Sequence, residues 1–255
     1  MDWMLLFVAG ILGGVLNSIA GGGSFITFPA LMFVGVPPII ANATNTFAAC
    51  AGYLSGTYGF RKDIAKHQGS LFKLVLLSLL GGGAGSYLLL STSEEQFLHV
   101  IPWLLLFATL LFIFGAKISE FTSKMSHASS RFSLYHRFFL AFVLVAVSAY
   151  GGFFNAGLGV IVLSYLILAG YQDINLMNGL KLLVSSSVSI VAIVIFVIDD
   201  YIDWSRGSVV MLGTLLGGYI AARVSRQVDP SYVRGFVAVS SVVMTIYFFY
   251  DVYFT

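Results

Sequence analysis

Two runs of this chain place asparagine and glycine at matching spacing inside otherwise apolar sequence. Gly14, Asn17 and Gly21 form one Gly-x-x-Asn-x-x-x-Gly pattern, and Gly152, Asn155 and Gly159 form the other. Ser18, Gly22, Gly23, Ser24 and Thr27 enrich the first run with small and hydroxylated residues, while the second adds only Gly157. Glycine weakens a helix, and a backbone amide freed within a bilayer has to be covered by protein or water. A helix restarting after Gly23 presents N–H groups and the positive end of its dipole, an arrangement that favours an anion. Ser24 and Thr27 can add hydroxyl donors. Pro29 is expected in the first turns of the restarted helix, where its missing N–H is tolerated. The chemistry these groups could do is binding rather than bond breaking. A duplicated break suggests a lined cavity between two halves, the way many transporters build a substrate site. The competing account is that each glycine serves close helix packing.

A second set of polar residues follows each break. Asn42, Thr44 and Asn45 open the next apolar run, either as an N-cap or as a polar wall of the site. Asn178 and Lys181 occupy the matching region of the second half. Lys181 is embedded in an uncharged stretch, and a cation within a membrane is a functional candidate by default, although its stem could also snorkel. Ser185, Ser186, Ser187 and Ser189 could line a path or bond their own backbone. Gly10/Gly14, Gly52/Gly56, Gly81/Gly85 and Gly213/Gly217 fit small-residue packing. Tyr53, Tyr58, Trp103, Tyr201 and Trp204 fit interfacial anchoring. His67, His99, His127 and His136 pair with no carboxylate at metal-ligand spacing, and the single Cys50 excludes a disulfide within the chain. No nucleophile–base pair falls within the membrane, so the expectation is a protein that is not an enzyme, with no cofactor and no metal. No carboxylate sits in the middle of a span, which weakens a buried acidic proton relay.

The elements that position these residues follow from composition. The 255-residue chain is 58% hydrophobic and 9% charged, with mean hydropathy +0.94, against about 25% charge in a soluble domain. No acidic or basic side chain occurs from Trp3 to Phe60, a run far beyond the roughly 20 residues that one helix needs to span a bilayer. The apolar runs are continuous rather than alternating, so helices are expected and a barrel is not. All but two of the basic residues fall in three clusters: Arg61, Lys62, Lys66 and Lys73; Lys117, Lys124, Arg131 and Arg137; Arg223, Arg226 and Arg234. Glu94 and Glu95, then Asp199, Asp200 and Asp203, dominate the other connections. Basic loops stay in the cytoplasm. Parity between the basic clusters requires the broken region 135–171 to leave and return on the same side, and by homology of the halves region 3–36 forms the same hairpin.

The expected fold is therefore an all-α polytopic membrane protein built as an inverted repeat. Each half is a broken-helix hairpin plus three transmembrane helices, with residues 1–118 and 135–255 as the repeats and 119–134 as a cytoplasmic linker. Both termini are expected outside a cell membrane. Asp173 sits awkwardly in this scheme, near the inner end of its segment. The expected partners are a small anion and the lipid bilayer, with a homodimer left open and nucleic acid not expected.

The run Gly14-x-x-Asn17-x-x-Ala-Gly21-Gly22-Gly23-Ser24-x-x-x-x-Pro29, followed by Gly35-x-Pro37 and Ala41-x-x-Thr44-Asn45, resembles the TauE/SafE sulfite exporter family. Ile202-Asp203-Trp204, Gly213-x-x-x-Gly217 and Arg223 extend the resemblance over essentially the whole chain, although Leu158 and Val160 stand where that family commonly has small residues. The resemblance implies a permease, commonly an exporter, for small sulfur oxyanions or organosulfonates. An anion channel, or a facilitator for other small organic anions, is the alternative on the same scaffold.

Overall fold

The computed structural model describes residues 1–19, 21–65, 68–126, 134–224 and 230–254. Regular structure among them is helical throughout: α1 (Asp2–Ile19), α2 (Ser24–Phe33), α3 (Pro38–Gly59), α4 (Arg61–Ile64), α5 (Gln68–Leu90), α6 (Glu94–Ser126), α7 (Leu134–Phe153), α8 (Leu158–Leu168), α9 (Ile174–Ile198), α10 (Trp204–Val224) and α11 (Pro230–Phe254). The protein is an all-α polytopic membrane protein. Five described stretches are long and apolar enough to cross a bilayer: Leu71–Leu90, Glu94–Phe114, Tyr135–Phe153, Ile174–Ile198 and Gly235–Phe254. Large apolar side chains such as Phe72, Leu80, Phe107, Phe142, Val194 and Ile246 point outward, as lipid-facing surface requires. Helices α3 and α10 match these spans in length, with 22 and 21 residues, but carry more Gly, Asn, Ser and Thr.

Both broken regions fold back on themselves. In the first, α1 spans about 27 Å and α2 about 15 Å, a long leg followed by a short one. The amide of Gly21 donates to the carbonyls of Leu16 and Asn17 at 3.0 and 3.2 Å, and its φ of +82° is a left-handed conformation open to glycine without strain. The chain then reverses, so that Gly23 and Thr27 lie back against Gly13. In the second, α7 ends at Phe153 and α8 starts at Leu158. The matched spacing of Gly21 and Gly159 does not extend to conformation: Gly157, with φ +79°, is the left-handed residue here, and Gly159 lies inside α8.

Four helix pairings organise the rest. Helix α1 lies along α10, α7 along α5, α3 along α9, and α6 along α11. The glycines expected to serve packing do so in the first two pairs. A methyl placed on Gly10 would come within 3.0 Å of Gly213 Cα, and one on Gly217 would meet the Ile11 backbone. Across the other pair, Gly81 backs onto Val145 and Ser148, and Gly85 onto Ala149 and Phe153. Backbones this close gain dispersion and shed no side-chain entropy, the usual driving force where lipid competes with apolar contacts. Helix α6 continues through residues 119–126, the first part of the expected linker; residues 127–133 lie outside those described. Asp173 proves to be the N-cap of α9, accepting from the amides of Asn175 and Leu176 at 2.8 and 3.2 Å, which accounts for a carboxylate at that helix end.

Pro29 lies within the first turns of α2 as expected, as its sixth residue, but its missing N–H is not one of the helix's orphan donors, so the Phe25 carbonyl loses its i+4 donor. Asn42 and Thr44 are not N-caps, because α3 already begins at Pro38 behind Pro37.

Candidate functional site

The first break forms one end of a cavity of about 790 Å³ bounded by α1, α2, α3 and α10, with Leu182 of α9 completing the wall. Asn17, Ser18, Gly23, Ser24 and Thr27 line it. Gly14 faces Thr214, the middle residue of α10, so the polar end of the cavity lies about halfway along the flanking helices. From there the cavity runs past Gly52, Ser55, Gly56, Gly218 and Tyr219 to Gly59, Phe60 and Ala221. Gly59 and Phe60 immediately precede Arg61 and Lys62 in the chain, and Ala221 stands two positions before Arg223, so the cavity reaches toward the basic end of the helices. Among the described residues that line it, none is charged.

Asn45 fixes the hydroxyls of this polar end from behind. Its Nδ2 donates to Ser24 Oγ at 3.1 Å, and its Oδ1 accepts from Thr27 Oγ1 at 2.5 Å. Thr27 Oγ1 also approaches the Gly23 carbonyl at 3.2 Å. Because Ser24 Oγ accepts from Asn45, its own hydrogen is the group it can offer a ligand. Ser18 is turned back onto its helix, donating to the Gly14 carbonyl at 2.9 Å.

The second break is built differently. Asn155 is 1% exposed. Its Oδ1 accepts from the Tyr53 hydroxyl at 3.0 Å, and its Nδ2 donates to Ser189 Oγ at 3.3 Å and approaches Thr46 Oγ1 at 3.5 Å. Asn42 Nδ2 donates to the Phe153 carbonyl at 2.9 Å. Helices α3 and α9 thus tie the second break down, and neither Asn155, Gly157 nor Gly159 is among the residues lining the cavity. Gly157 packs against Ala108, and Gly22 against Val237. The two breaks meet all the same: a methyl on Gly159 would stand 3.8 Å from Gly21 Cα and 3.5 Å from Lys181 Cδ. Lys181 is 6% exposed, with Nζ 3.4 Å from Asn178 Oδ1. Its stem runs beside Gly159, and Lys181 is not among the residues lining the cavity.

At the end of the molecule opposite the basic loops, polar contacts join neighbouring elements. Thr44 Oγ1 accepts from the Asp203 amide at 3.0 Å, and Asp203 pairs with Arg206 at 2.7 Å. The Ile39 amide donates to Glu94 Oε2 at 3.0 Å. Phe47 meets Trp204 edge-on with ring centroids 5.2 Å apart. Beneath these, Phe28, Phe97, Phe154 and Phe248 are fully buried, with Phe154 edge-on to Phe28 and to Phe97.

Tyr53 is the residue that sequence reasoning misplaced. As an aromatic near a helix end it reads as an interfacial anchor, yet it is 5% exposed and bonded to Asn155. Thr214, Ser55 and Tyr219 carry no sequence signal of a lining role. Gly52 is not a packing glycine either: a methyl there would meet nothing within 4 Å, because that face of α3 borders the cavity.

The family model for "Sulfite exporter TauE/SafE" matches residues 6–248 of this chain. The chain belongs to the TauE/SafE family. Among similar proteins is a "Probable membrane transporter protein" of Haemophilus influenzae, 29% identical over 248 residues, covering 97% of this chain and 94% of the relative. Another is the "Probable membrane transporter protein YfcA" of Escherichia coli K12, 27% identical over 97% of this chain and 89% of the relative. A third, from Sinorhizobium, is 25% identical over 94% of this chain and 90% of the relative. No solved structure matches. The chain is thus a multi-pass membrane transporter of the TauE/SafE family.

Proposed function

We propose that this TauE/SafE protein carries small sulfur-containing anions, such as sulfite or organosulfonates, out of the cell by alternating access. The observation that carries this reading is the pair of donors Asn17 and Ser24, beside Thr27, at the deep end of a cavity running toward the basic loops. An oxyanion there would take the Ser24 hydrogen and an Asn17 amide hydrogen beside the N-terminus of α2, whose dipole favours negative charge. Asn45 would hold the two hydroxyls in register. Lys181, buried beside the second break, would add a long-range positive potential in a medium where charges are weakly screened. Export needs no coupling ion on energetic grounds, since an interior-negative potential drives an anion outward by about 2.3 kcal/mol per charge per 100 mV.

The packing supports an inverted repeat. Helix α1 lies on α10 as α7 lies on α5, while α3 meets α9 and α6 meets α11. Exchange of the first half with the second maps this set of pairings onto itself. With the basic clusters in the cytoplasm, the cavity is the inward-facing one and both termini lie outside. The contacts joining Thr44 to Asp203 and Ile39 to Glu94 then form the closed outer gate, which favours a carrier over an open channel.

The deciding experiment uses purified protein in liposomes loaded with labelled sulfite, thiosulfate, sulfoacetate or taurine, under imposed voltage and pH gradients. Saturable efflux with counterflow of at least one of them is expected. Movement of none of them, alongside movement of a cation or an uncharged solute, would overturn the substrate class.

A further inference from the structure

The cavity as lined is uncharged, and Tyr53, buried beside its polar end, is placed to add a further donor. Its hydroxyl has one hydrogen and two claimants. In this structure the hydrogen goes to Asn155 Oδ1, at 3.0 Å. Asn17 and Ser24, both lining the cavity, flank the same hydroxyl. A ligand oxygen held by Asn17 and Ser24 therefore arrives beside an O–H already committed to the second break.

We propose that Tyr53 is a specificity-determining residue of the transporter: an anionic oxygen in the cavity takes the Tyr53 hydrogen bond from Asn155, and so loosens the second break. The exchange favours anions for a physical reason. A hydrogen bond to a charged acceptor is worth about 1.5 to 3 kcal/mol net, against about 1 kcal/mol for a neutral amide oxygen. A neutral ligand gains nothing by displacing Asn155, whereas an oxyanion does. Once displaced, Asn155 keeps its contacts with Ser189 and Thr46, but the second break loses a tie to α3. Substrate charge is read at the first break and felt at the second. This rests on the cavity being the substrate site.

The test is efflux of labelled sulfite from liposomes by the unaltered protein, Tyr53→Phe and Asn155→Leu. Tyr53→Phe keeps the ring and removes the hydrogen, and should raise the KM for sulfite about tenfold. Asn155→Leu frees that hydrogen for the ligand, and should lower KM several-fold while slowing the maximal rate. A merely structural bond would move both variants in the same direction. A Tyr53→Phe variant with unchanged KM, or KM shifts of the same sign in both variants, would overturn the coupling and leave the transport reading intact. Where Asn155→Leu does not fold, the KM of Tyr53→Phe decides alone. Failure of the unaltered protein to move sulfite or taurine would overturn the proposed function, and the coupling with it.

Discussion

Asn45 Nδ2 donates to Ser24 Oγ at 3.1 Å across the space between α3 and α2. That bond leaves the Ser24 hydroxyl hydrogen as the group facing a ligand, and the same amide accepts from Thr27. One side chain, on the helix after the break, thus sets the polarity of the break itself.

Asn45→Ala should therefore do more damage than Ser24→Ala. It takes away the donor to Ser24 Oγ and one of the two acceptors facing Thr27 Oγ1, leaving that hydroxyl the Gly23 carbonyl, at about 1 to 3 kcal/mol for a buried group left unpaired. The expected result is a Tm lowered by several degrees and a KM for the carried anion raised about tenfold or more. Thermal unfolding in detergent and initial-rate efflux read the two effects separately, and an Asn45→Ala protein with native affinity would show that this bond does not organise the site.

The glycines of the α1–α10 seam and the glycine at the cavity wall should respond in opposite ways. A methyl on Gly213 would fall 2.9 Å from Gly10 Cα, so Gly213→Val should destabilise by roughly 3 kcal/mol or more through overpacking. Gly52→Ala meets nothing within 4 Å and should be neutral or stabilising by up to about 1 kcal/mol, the helix-propensity difference. Monodispersity and Tm of the two purified variants make the comparison.

Lys181→Met removes a buried positive charge beside Gly159 while keeping most of the stem volume. Transport of an anion should fall about tenfold with protein yield preserved, and the loss should exceed that for a zwitterion such as taurine. Equal losses for both solutes would assign Lys181 a packing role.

The direction in which the cavity opens can be read chemically. In a Cys50→Ala background, Ser55→Cys places a thiol on the cavity wall. A membrane-impermeant maleimide should label it from the cytoplasmic side and only slowly from outside. Faster labelling from outside would invert the topology. Weakening the opposite end with Thr44→Val, which removes the acceptor for the Asp203 amide, should raise labelling from outside.

Much of this architecture was legible in the chain, because a bilayer leaves few options. Continuous apolar runs have to become helices, basic clusters mark one side, parity required residues 135–171 to turn back, and the matching of the halves extended that to residues 3–36. The residues that line the cavity from the first break, Asn17, Ser18, Gly23, Ser24 and Thr27, stand next to one another in sequence, so local composition could single them out.

What sequence could not decide depends on which helices become neighbours. Gly10 and Gly52 have the same local context, an apolar helix with a small residue four positions on, yet one is pressed against α10 and the other borders open space. Tyr53 reads as an anchor until α3 is packed centrally and its hydroxyl reaches Asn155, 102 positions away. Gly21 and Gly159 share a spacing, but only the tertiary structure assigns the left-handed turn of the second break to Gly157 and leaves Gly159 helical. Periodicity and charge act through the local solvent and fix which segments are helical and how deep they lie. Cavities, by contrast, are what is left between helices distant in sequence, and their walls exist only after packing.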